Sequence, residues 1–299
     1  MERVIIIGSG PAGISAALYA ARGNLEPLVI HNGFGGLEKA EKIENYYGLE
    51  APLSGKELHE RGIRQAKELG VRFLEAQVLG MGGFDTFKVH TTAGTLEAQS
   101  VILATGSSRK TPKIPGVKEL EGRGVSYCAI CDAFFYRGKN VAVLGNSDFA
   151  LHEAEELANV TENVTIYTDG KEPEFSKDHS LTVNTMKIQS IEGEDKVSGI
   201  KLKSDVSVQG TDSSPEVLVP ADGVFVAIGT AGSTEIARQM GAELTEKGNV
   251  KVDEEMQTTI PGLFAAGDCT GGLLQVAKAV YEGAQAGISA GKYVRQRYK

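Results

Sequence analysis

The chain is poor in cysteine, with three in 299 residues, and that scarcity excludes a disulfide framework as the source of its stability. No run of 18 apolar residues occurs, so no stretch reads as a transmembrane helix and no membrane partner is expected. No basic-then-apolar leader precedes the first strand-like residues; with the low cysteine count, this leads us to expect a cytoplasmic protein in a reducing compartment. Positive charge is also in deficit. Against 39 Asp and Glu stand 31 Lys and Arg, a formal net charge of -8, which argues against nucleic acid as the main partner. Glycine, by contrast, is abundant at 37 residues, in a background of 41% hydrophobic and 23% charged residues. That is the composition of a globular α/β protein, and a chain of this length buries roughly three quarters of its unfolded surface, enough for two domains.

Two of the three cysteines stand together in Tyr127-Cys128-Ala129-Ile130-Cys131-Asp132. A Cys-x-x-Cys pair closes a small disulfide, and neighbouring groups that lower a thiol pKa make one sulfur a nucleophile in thiol–disulfide exchange. Asp132 stands where it could carry the proton that such an exchange needs. Half a zinc site and a buried structural pair are the competing readings of this spacing. Zinc requires further Cys or His ligands, and Cys269 stands alone, so no metal is expected and Cys128, Cys131 and Asp132 are taken as the candidate catalytic residues.

Around this pair lie two copies of a strand, glycine turn and helix. In the first, the apolar run Val4-Ile5-Ile6-Ile7 leads into Gly8-Ser9-Gly10-Pro11-Ala12-Gly13 and an alanine-rich helix through about Arg22. Gly8 permits the tight turn, Gly10 lets backbone approach a pyrophosphate, and Gly13 allows close helix–strand packing. The next strand, Pro27-Leu28-Val29-Ile30, ends at His31-Asn32, where such folds commonly carry an acid on the ribose; the acid is missing, and His31 or Asn32 is the candidate replacement, a surface role for His31 being the alternative. Val101-Ile102-Leu103-Ala104-Thr105-Gly106 and Gly262-Leu263-Phe264-Ala265-Ala266-Gly267-Asp268 each read as a buried strand ending in a small-residue turn. Residues 54–70 have helical spacing with Ser54 as N-cap and read as scaffold.

With these pieces the chain resembles the two-dinucleotide-binding flavoproteins, and with the Cys-x-x-Cys it is similar along essentially its full length to low-molecular-weight thioredoxin reductases. The resemblance implies an α/β fold of two Rossmann-like domains, the second inserted in the first: residues 1–112 with 240–299 binding FAD, and 113–239 forming a pyridine-nucleotide-type domain that carries the dithiol. It implies that FAD is held by Gly8, Ser9, Gly10, Pro11, Ala12 and Gly13, by Ala104, Thr105 and Gly106, and by Gly267. Asp268 would bond the ribityl chain, Gln275 would lie near the isoalloxazine ring, Asn45 of Glu44-Asn45-Tyr46-Tyr47-Gly48 would line the flavin pocket, and Val276 would belong to the same cofactor site. A homodimer is implied, with Cys131 receiving electrons from flavin and Cys128 attacking the disulfide of thioredoxin or a thioredoxin-like protein.

The second copy departs from that family. Val141-Ala142-Val143-Leu144 is again a strand and residues 151–158 again read as a helix, with Glu-rich outer positions, but Ser147 occupies the middle glycine position, with Asp148 and Phe149 beside it. The strand Val164-Thr165-Ile166-Tyr167 runs into Thr168-Asp169-Gly170, where the family carries His-Arg-Arg for the 2′-phosphate of NADPH. NADPH is therefore not expected, and Asp169 keeps NADH open through a ribose hydroxyl. The pattern resembles ferredoxin-dependent flavin thioredoxin reductases and the diflavin-linked disulfide oxidoreductases, which implies ferredoxin as donor and admits a second flavin. A dithiol oxidase passing electrons to oxygen and a flavin redox sensor without turnover are the other readings. Candidate basic docking clusters are Arg109, Lys110 and Lys113; Arg137 and Lys139; and Lys292, Arg295, Arg297 and Lys299. Of Phe134, Phe135 and Tyr136, two are expected to fill core, and Tyr293 and Tyr298 in the tail are weighed as flavin covers against frayed terminal residues.

Overall fold

The structure is a computed structural model that describes residues 1–83, 85–106, 112–203, 216–229 and 231–298; the side chains of Lys39, Ile130 and Cys131 also lie outside the description. The chain folds as two compact units, Met1–Arg109 with Gly232–Lys299, and Lys110–Ala231. In chain order, unit 1 opens with β1 (Glu2–Ile7), α1 (Pro11–Arg22), β2 (Leu28–His31), α2 (Gly55–Glu68), β3 (Arg72–Glu75), β4 (Val78–Gly82), β5 (Phe87–Thr91) and β6 (Gly94–Leu103). Unit 2 follows with β7 (Val125–Ser126), α3 (Ala129–Asp132), β8 (Val141–Leu144), α4 (Asp148–Ala158), β9 (Val164–Tyr167), β10 (Thr182–Asn184), β11 (Lys187–Gly193), β12 (Val197–Lys203), β13 (Glu216–Pro220) and β14 (Gly223–Val226). Then α5 (Ser233–Gln239), β15 (Leu263–Ala265) and α6 (Val276–Arg297) complete unit 1.

In unit 1 the sheet order among the described residues is β3-β2-β1-β6-β5-β4, with β15 also on β6. The parallel part has its register set so that Ile7 lies beside Ile30 and Leu103, and Leu103 beside Ala265. All four strands thus end on one edge, and the next residues, Gly8, His31, Ala104 and Ala266, form the rim of a crevice. Open α/β sheets bind ligands at that carboxyl edge. The strands are apolar because both faces are covered: Val4, Ile5 and Ile6 are fully buried, and α1 and α6 lie together on the sheet through Ala16, Ala20, Ala286 and Ala290.

Unit 2 repeats the plan. Its parallel sheet runs β10-β9-β8-β14-β7, and β11-β12-β13 form an antiparallel sheet beside it. Leu144 aligns with Tyr167 and Val226, so the turn at Gly145 stands at the carboxyl edge as Gly8 does in unit 1. β7 enters the same edge, with Ser126 beside Phe225, and delivers the chain to Cys128.

Three expectations change. Unit 2 ends at Ala231 and not at 239, because α5 is bonded into unit 1: Ser233 Oγ and Thr105 Oγ1 are 2.7 Å apart, and Gln239 Oε1 accepts the Met81 N–H at 3.0 Å. Helix α4 begins at Asp148, three residues before 151, with Ser147 at its N-cap and an acid in its first turn, where the helix dipole favours negative charge. Tyr293 and Tyr298 are not frayed: helix α6 runs to Arg297, the Tyr293 ring packs edge-on to Phe264 and Tyr298 Oη donates to Asp85 O at 2.9 Å.

Candidate active site

The dithiol lies in unit 2. Cys128 is disulfide-bonded and 4% exposed. Ser126, buried two residues upstream, ties the segment together: its hydroxyl donates to Asp132 Oδ2 at 2.6 Å and accepts the Cys128 N–H at 3.1 Å. Asp132 is thereby linked through the Ser126 hydroxyl to the backbone of the sulfur-bearing residue. A second carboxylate corrects the expectation that the glutamates of α4 take its outer positions. Glu153 on α4 is 1% exposed and accepts the Ala129 N–H at Oε2, 2.7 Å away. Phe149, Glu153 and Leu157, all buried, recur every four residues, so a carboxylate standing in an apolar helical stripe was the signal available.

Burial pushes the Glu153 carboxyl up from 4.5 to about 7, against the bond from Ala129, which favours its charge. Between those values the native protein holds a proton that the unfolded chain has lost. The stability tied to this group is complete below about pH 4.5 and lost as pH rises through about 7, on the order of 3 kcal/mol in all. Glu153→Gln is expected to remove that slope, so that urea midpoints measured from about pH 4.5 to about pH 8 move in the variant's favour as pH rises.

The third cysteine is separate from this chemistry. Cys269, in unit 1, is completely buried with its thiol against Ala266 O, and burial pushes it up to about 11. Phe134 and Phe135 correct the expectation of core filling: they are 71% and 67% exposed, while Tyr136 packs on Gly223 and Phe225. Residues 133–136 form a 3-10 turn, in which positions three apart share a face, so Ala133 and Tyr136 turn inward and the two phenylalanines outward.

The dinucleotide crevice lies in unit 1. A Cβ on Gly8, which has φ 111°, would stand 2.3 Å from Ala104 O, and one on Gly13 would stand 1.9 Å from Gly8 O, so both positions are closed to side chains by the protein itself. Gly10 differs. Its backbone is extended, open to any residue, and a Cβ there would meet nothing within 4 Å. The absence of a side chain at Gly10 leaves room for a ligand, and no side chain caps α1 above it. Ser9, Gly10, Pro11 and Val276 line a cavity of about 550 Å³. Ser9 Oγ lies 2.9 Å from Nε2 of the buried His59, whose Nδ1, like Nδ1 of His31 at the end of β2, is buried without a hydrogen-bond partner among the described residues. Burial holds both imidazoles below their ordinary range. Asn32 is exposed at the rim.

Asn45 and Gln275, far apart in sequence, are joined by a bond of 3.0 Å from Asn45 Nδ2 to Gln275 Oε1. Asp268 follows Gly267, whose N–H donates to Glu282 Oε2 at 2.8 Å; Lys278 Nζ reaches Gly267 O at 2.8 Å and Thr270 Oγ1 at 2.7 Å, and fixes the turn. Burial raises the Asp268 carboxyl above its ordinary value, opposed by Lys278. Gly106 closes the Ala104-Thr105-Gly106 turn at φ 82°. Of these residues His59, Ser233, Lys278 and Glu282 were not anticipated, because each acts through a contact distant in sequence. The open approach at Gly10, the uncapped helix and the two buried Nδ1 atoms of His31 and His59, without a hydrogen-bond partner among the described residues, fit the pyrophosphate and ribose of a dinucleotide such as FAD.

The two glycines separate by experiment. Gly8→Ala is expected to cost about 1–3 kcal/mol of stability through backbone strain. Gly10→Ala should leave stability within about 0.5 kcal/mol yet raise the Kd for FAD about tenfold or more. Urea denaturation and the fluorescence of released FAD read the two effects.

A dinucleotide crevice on one unit and a disulfide on another built to the same plan define a class, the two-domain redox proteins that work through paired thiols. Comparison with known proteins narrows it. Residues 2–283 match the family model described as pyridine nucleotide-disulphide oxidoreductase. A thioredoxin reductase of Aquifex aeolicus is 35% identical, over 99% of this chain and 94% of its own. Among solved structures, the atypical thioredoxin reductase TRi from Desulfovibrio vulgaris Hildenborough is 39% identical with a TM-score of 0.91, covering 100% of this chain and 99% of its own. A ferredoxin-flavin thioredoxin reductase from Clostridium acetobutylicum is 32% identical with a TM-score of 0.71, covering 99% and 98%. The chain belongs to the pyridine nucleotide-disulphide oxidoreductase family and is an enzyme of its thioredoxin-reductase type.

Proposed function

We propose that this enzyme is an FAD-dependent reductase of the disulfide in thioredoxin or a thioredoxin-like protein, working through Cys128 and Cys131 as a cytoplasmic homodimer, with ferredoxin and not NADPH as electron donor. The observation that carries the donor reading is that unit 2 lines its own glycine turn with residues 172–176. The Glu174 N–H donates to Asn146 O at 2.6 Å, the Ser176 N–H to Asp148 Oδ1 at 2.7 Å, and Asn146 Nδ2 to Glu172 O at 3.0 Å. Ser147 Oγ donates to Gly229 O on the other side. A pyridine nucleotide needs that crevice for its pyrophosphate. Asp169 is engaged too: it sits at φ 52° with Oδ1 accepting the Ile188 N–H at 2.8 Å, which weakens the NADH alternative that rested on its carboxylate. The similarity to a protein described as a ferredoxin-flavin thioredoxin reductase supports the same donor.

FAD, which the Gly8–Gly13 turn, Asp268 and the Asn45–Gln275 pair would hold, would supply two electrons when bound. The chain's own residues do the rest. Cys128 passes its thiol proton to Asp132 and attacks the substrate disulfide, forming one S–S bond and breaking another, and the departing sulfur takes up that proton. Cys131 then attacks the mixed disulfide, releasing the second substrate thiol and restoring the Cys128–Cys131 bond, so the substrate gains the two electrons that the pair loses.

For an acidic donor the candidate cations divide. Lys292 is paired to Glu255, Arg297 to Asp85, and Arg295 donates to Gly23 O, whereas Arg109, Lys110 and Lys299 lie outside the described residues. Lys113, Arg137 and Lys139 are exposed, and Arg137 lies 5.5 Å from the Phe134 ring centroid. The experiment that tests the donor is anaerobic reduction of the bound flavin, followed at its visible absorbance, with NADPH, NADH and reduced ferredoxin offered separately.

A further inference from the structure

We propose that Glu153 is a positioning residue for the dithiol: by taking the Ala129 N–H at 2.7 Å from beneath helix α3, its carboxylate sets how readily Cys128 forms a thiolate and how strongly the reduced pair gives up electrons. The proposal rests on the reading of Cys128 and Cys131 as the redox pair.

The Ala129 N–H belongs to the peptide bond that leaves Cys128, so it is the first backbone donor past the sulfur-bearing residue. In Cys-x-x-Cys helices, N–H groups at the start of the helix and nearby positive charge favour the thiolate of the first cysteine. Here that donor is engaged by a carboxylate that is 1% exposed. Glu153 therefore acts twice in one direction. It competes for the donor, and when ionised it places a negative charge, sheltered from water, one peptide bond from Cys128. Both disfavour the thiolate, and a dithiol whose reduced form is less stabilised is the stronger reductant.

The cost of this arrangement points the same way. A carboxylate in the apolar stripe between Phe149 and Leu157 lowers stability where a leucine would raise it, and such local conflicts are expected at functional sites. Burial pushes the Glu153 carboxyl up to about 7, within the range in which thiols titrate, and the charge of Glu156 on the same helix pushes it further in that direction. A further acid on the dithiol segment is Asp132, which Ser126 holds from the side of β7. Reduction of the pair breaks one S–S bond and takes up two electrons and two protons; forming the attacking thiolate then releases one proton, and Glu153 acts on that last equilibrium.

Two readouts on the FAD-loaded protein test this, and neither uses ferredoxin or thioredoxin. In a Cys131→Ser background the rate of Cys128 alkylation by iodoacetamide is followed against pH. In the background with both cysteines, the thiol–disulfide ratio is measured at equilibrium with graded mixtures of reduced and oxidised dithiothreitol. Glu153→Gln keeps an oxygen for the Ala129 N–H and removes the charge. It is expected to lower the alkylation midpoint by about one pH unit, a tenfold gain in thiolate, and to shift the dithiothreitol equilibrium towards the dithiol by up to tenfold, about 30 mV for a two-electron couple. Glu156→Gln should move neither readout by more than about twofold. A Glu153→Gln protein that matches wild type in both readouts overturns the proposal. If that variant does not fold, the reduced-minus-oxidised infrared difference spectrum of the wild type at neutral pH decides: a change in the carboxylic-acid C=O band supports the proposal, and an unchanged band overturns it. Failure of the redox reading itself would show separately, as a wild-type pair that does not exchange with dithiothreitol.

Discussion

Cys128→Ser is expected to abolish reduction of the thioredoxin disulfide, by roughly a thousandfold or more, while the protein stays yellow. The two halves of that result come from different units. In the proposed assignment FAD is retained by the open Gly10 approach, Asp268 and the Asn45–Gln275 pair, all of unit 1, whereas the dithiol segment belongs to unit 2. Turnover depends on a sulfur whose place is fixed by Ser126 and Glu153 in unit 2. A hydroxyl in place of the Cys128 thiol is a far weaker nucleophile and cannot close the disulfide. Cys131→Ser is expected to be equally inactive but to accumulate a mixed disulfide between Cys128 and thioredoxin, because the resolving thiol is gone. Trapping by Cys128→Ser and not by Cys131→Ser would reverse the roles of the two sulfurs.

The second large effect concerns the donor. Micromolar NADPH is expected to leave the flavin oxidised, with a rate at least about a hundredfold below that of reduced ferredoxin, which corresponds to about 2.7 kcal/mol or more in the barrier. Three features act against the same ligand: a serine in place of the close-approach glycine, the bonds from residues 172–176 to the turn, and Asp169 where the 2′-phosphate needs a cation. One lost arginine could be compensated; three obstacles on one ligand are harder to offset. Energy is no barrier to the alternative. Plant-type ferredoxins lie near about −400 mV and thioredoxin near about −270 mV, so two electrons crossing about 130 mV release roughly 6 kcal/mol. Because the proposed docking relies on exposed cations on a chain of net charge -8, the ferredoxin rate should fall as salt rises.

The parts legible in the sequence were those with local signals. An apolar run followed by a glycine turn located β1 and α1, and again β8 and α4, because a buried parallel strand must be apolar and the turn must be small. Ser54 was legible as an N-cap, and its side chain accepts the Glu57 N–H. What stayed hidden depends on contacts that sequence order does not encode. His59 reaches Ser9 across 50 positions and Asn45 reaches Gln275 across 230, and neither pair carries a periodic pattern. The segment at 172–176 has no helix or strand spacing, so nothing local announced that it lines the turn at Asn146. The outward Phe134 and Phe135 stay hidden for another reason: their hydrophobicity points to the core, and only the threefold period of the turn that carries them turns them out. Glu153 was readable, at the cost of treating an acid in an apolar stripe as a signal and not as surface.

The central claim, a thioredoxin-type disulfide reductase that has given up pyridine nucleotide, is tested most directly by one anaerobic titration of the FAD-loaded protein. The flavin absorbance is followed while NADPH, NADH or reduced ferredoxin is added in stoichiometric amounts. Bleaching by ferredoxin alone, slowed by added salt, is the expected result. Rapid stoichiometric bleaching by micromolar NADPH would contradict the account, and bleaching by NADH alone would transfer the donor role to NADH through Asp169.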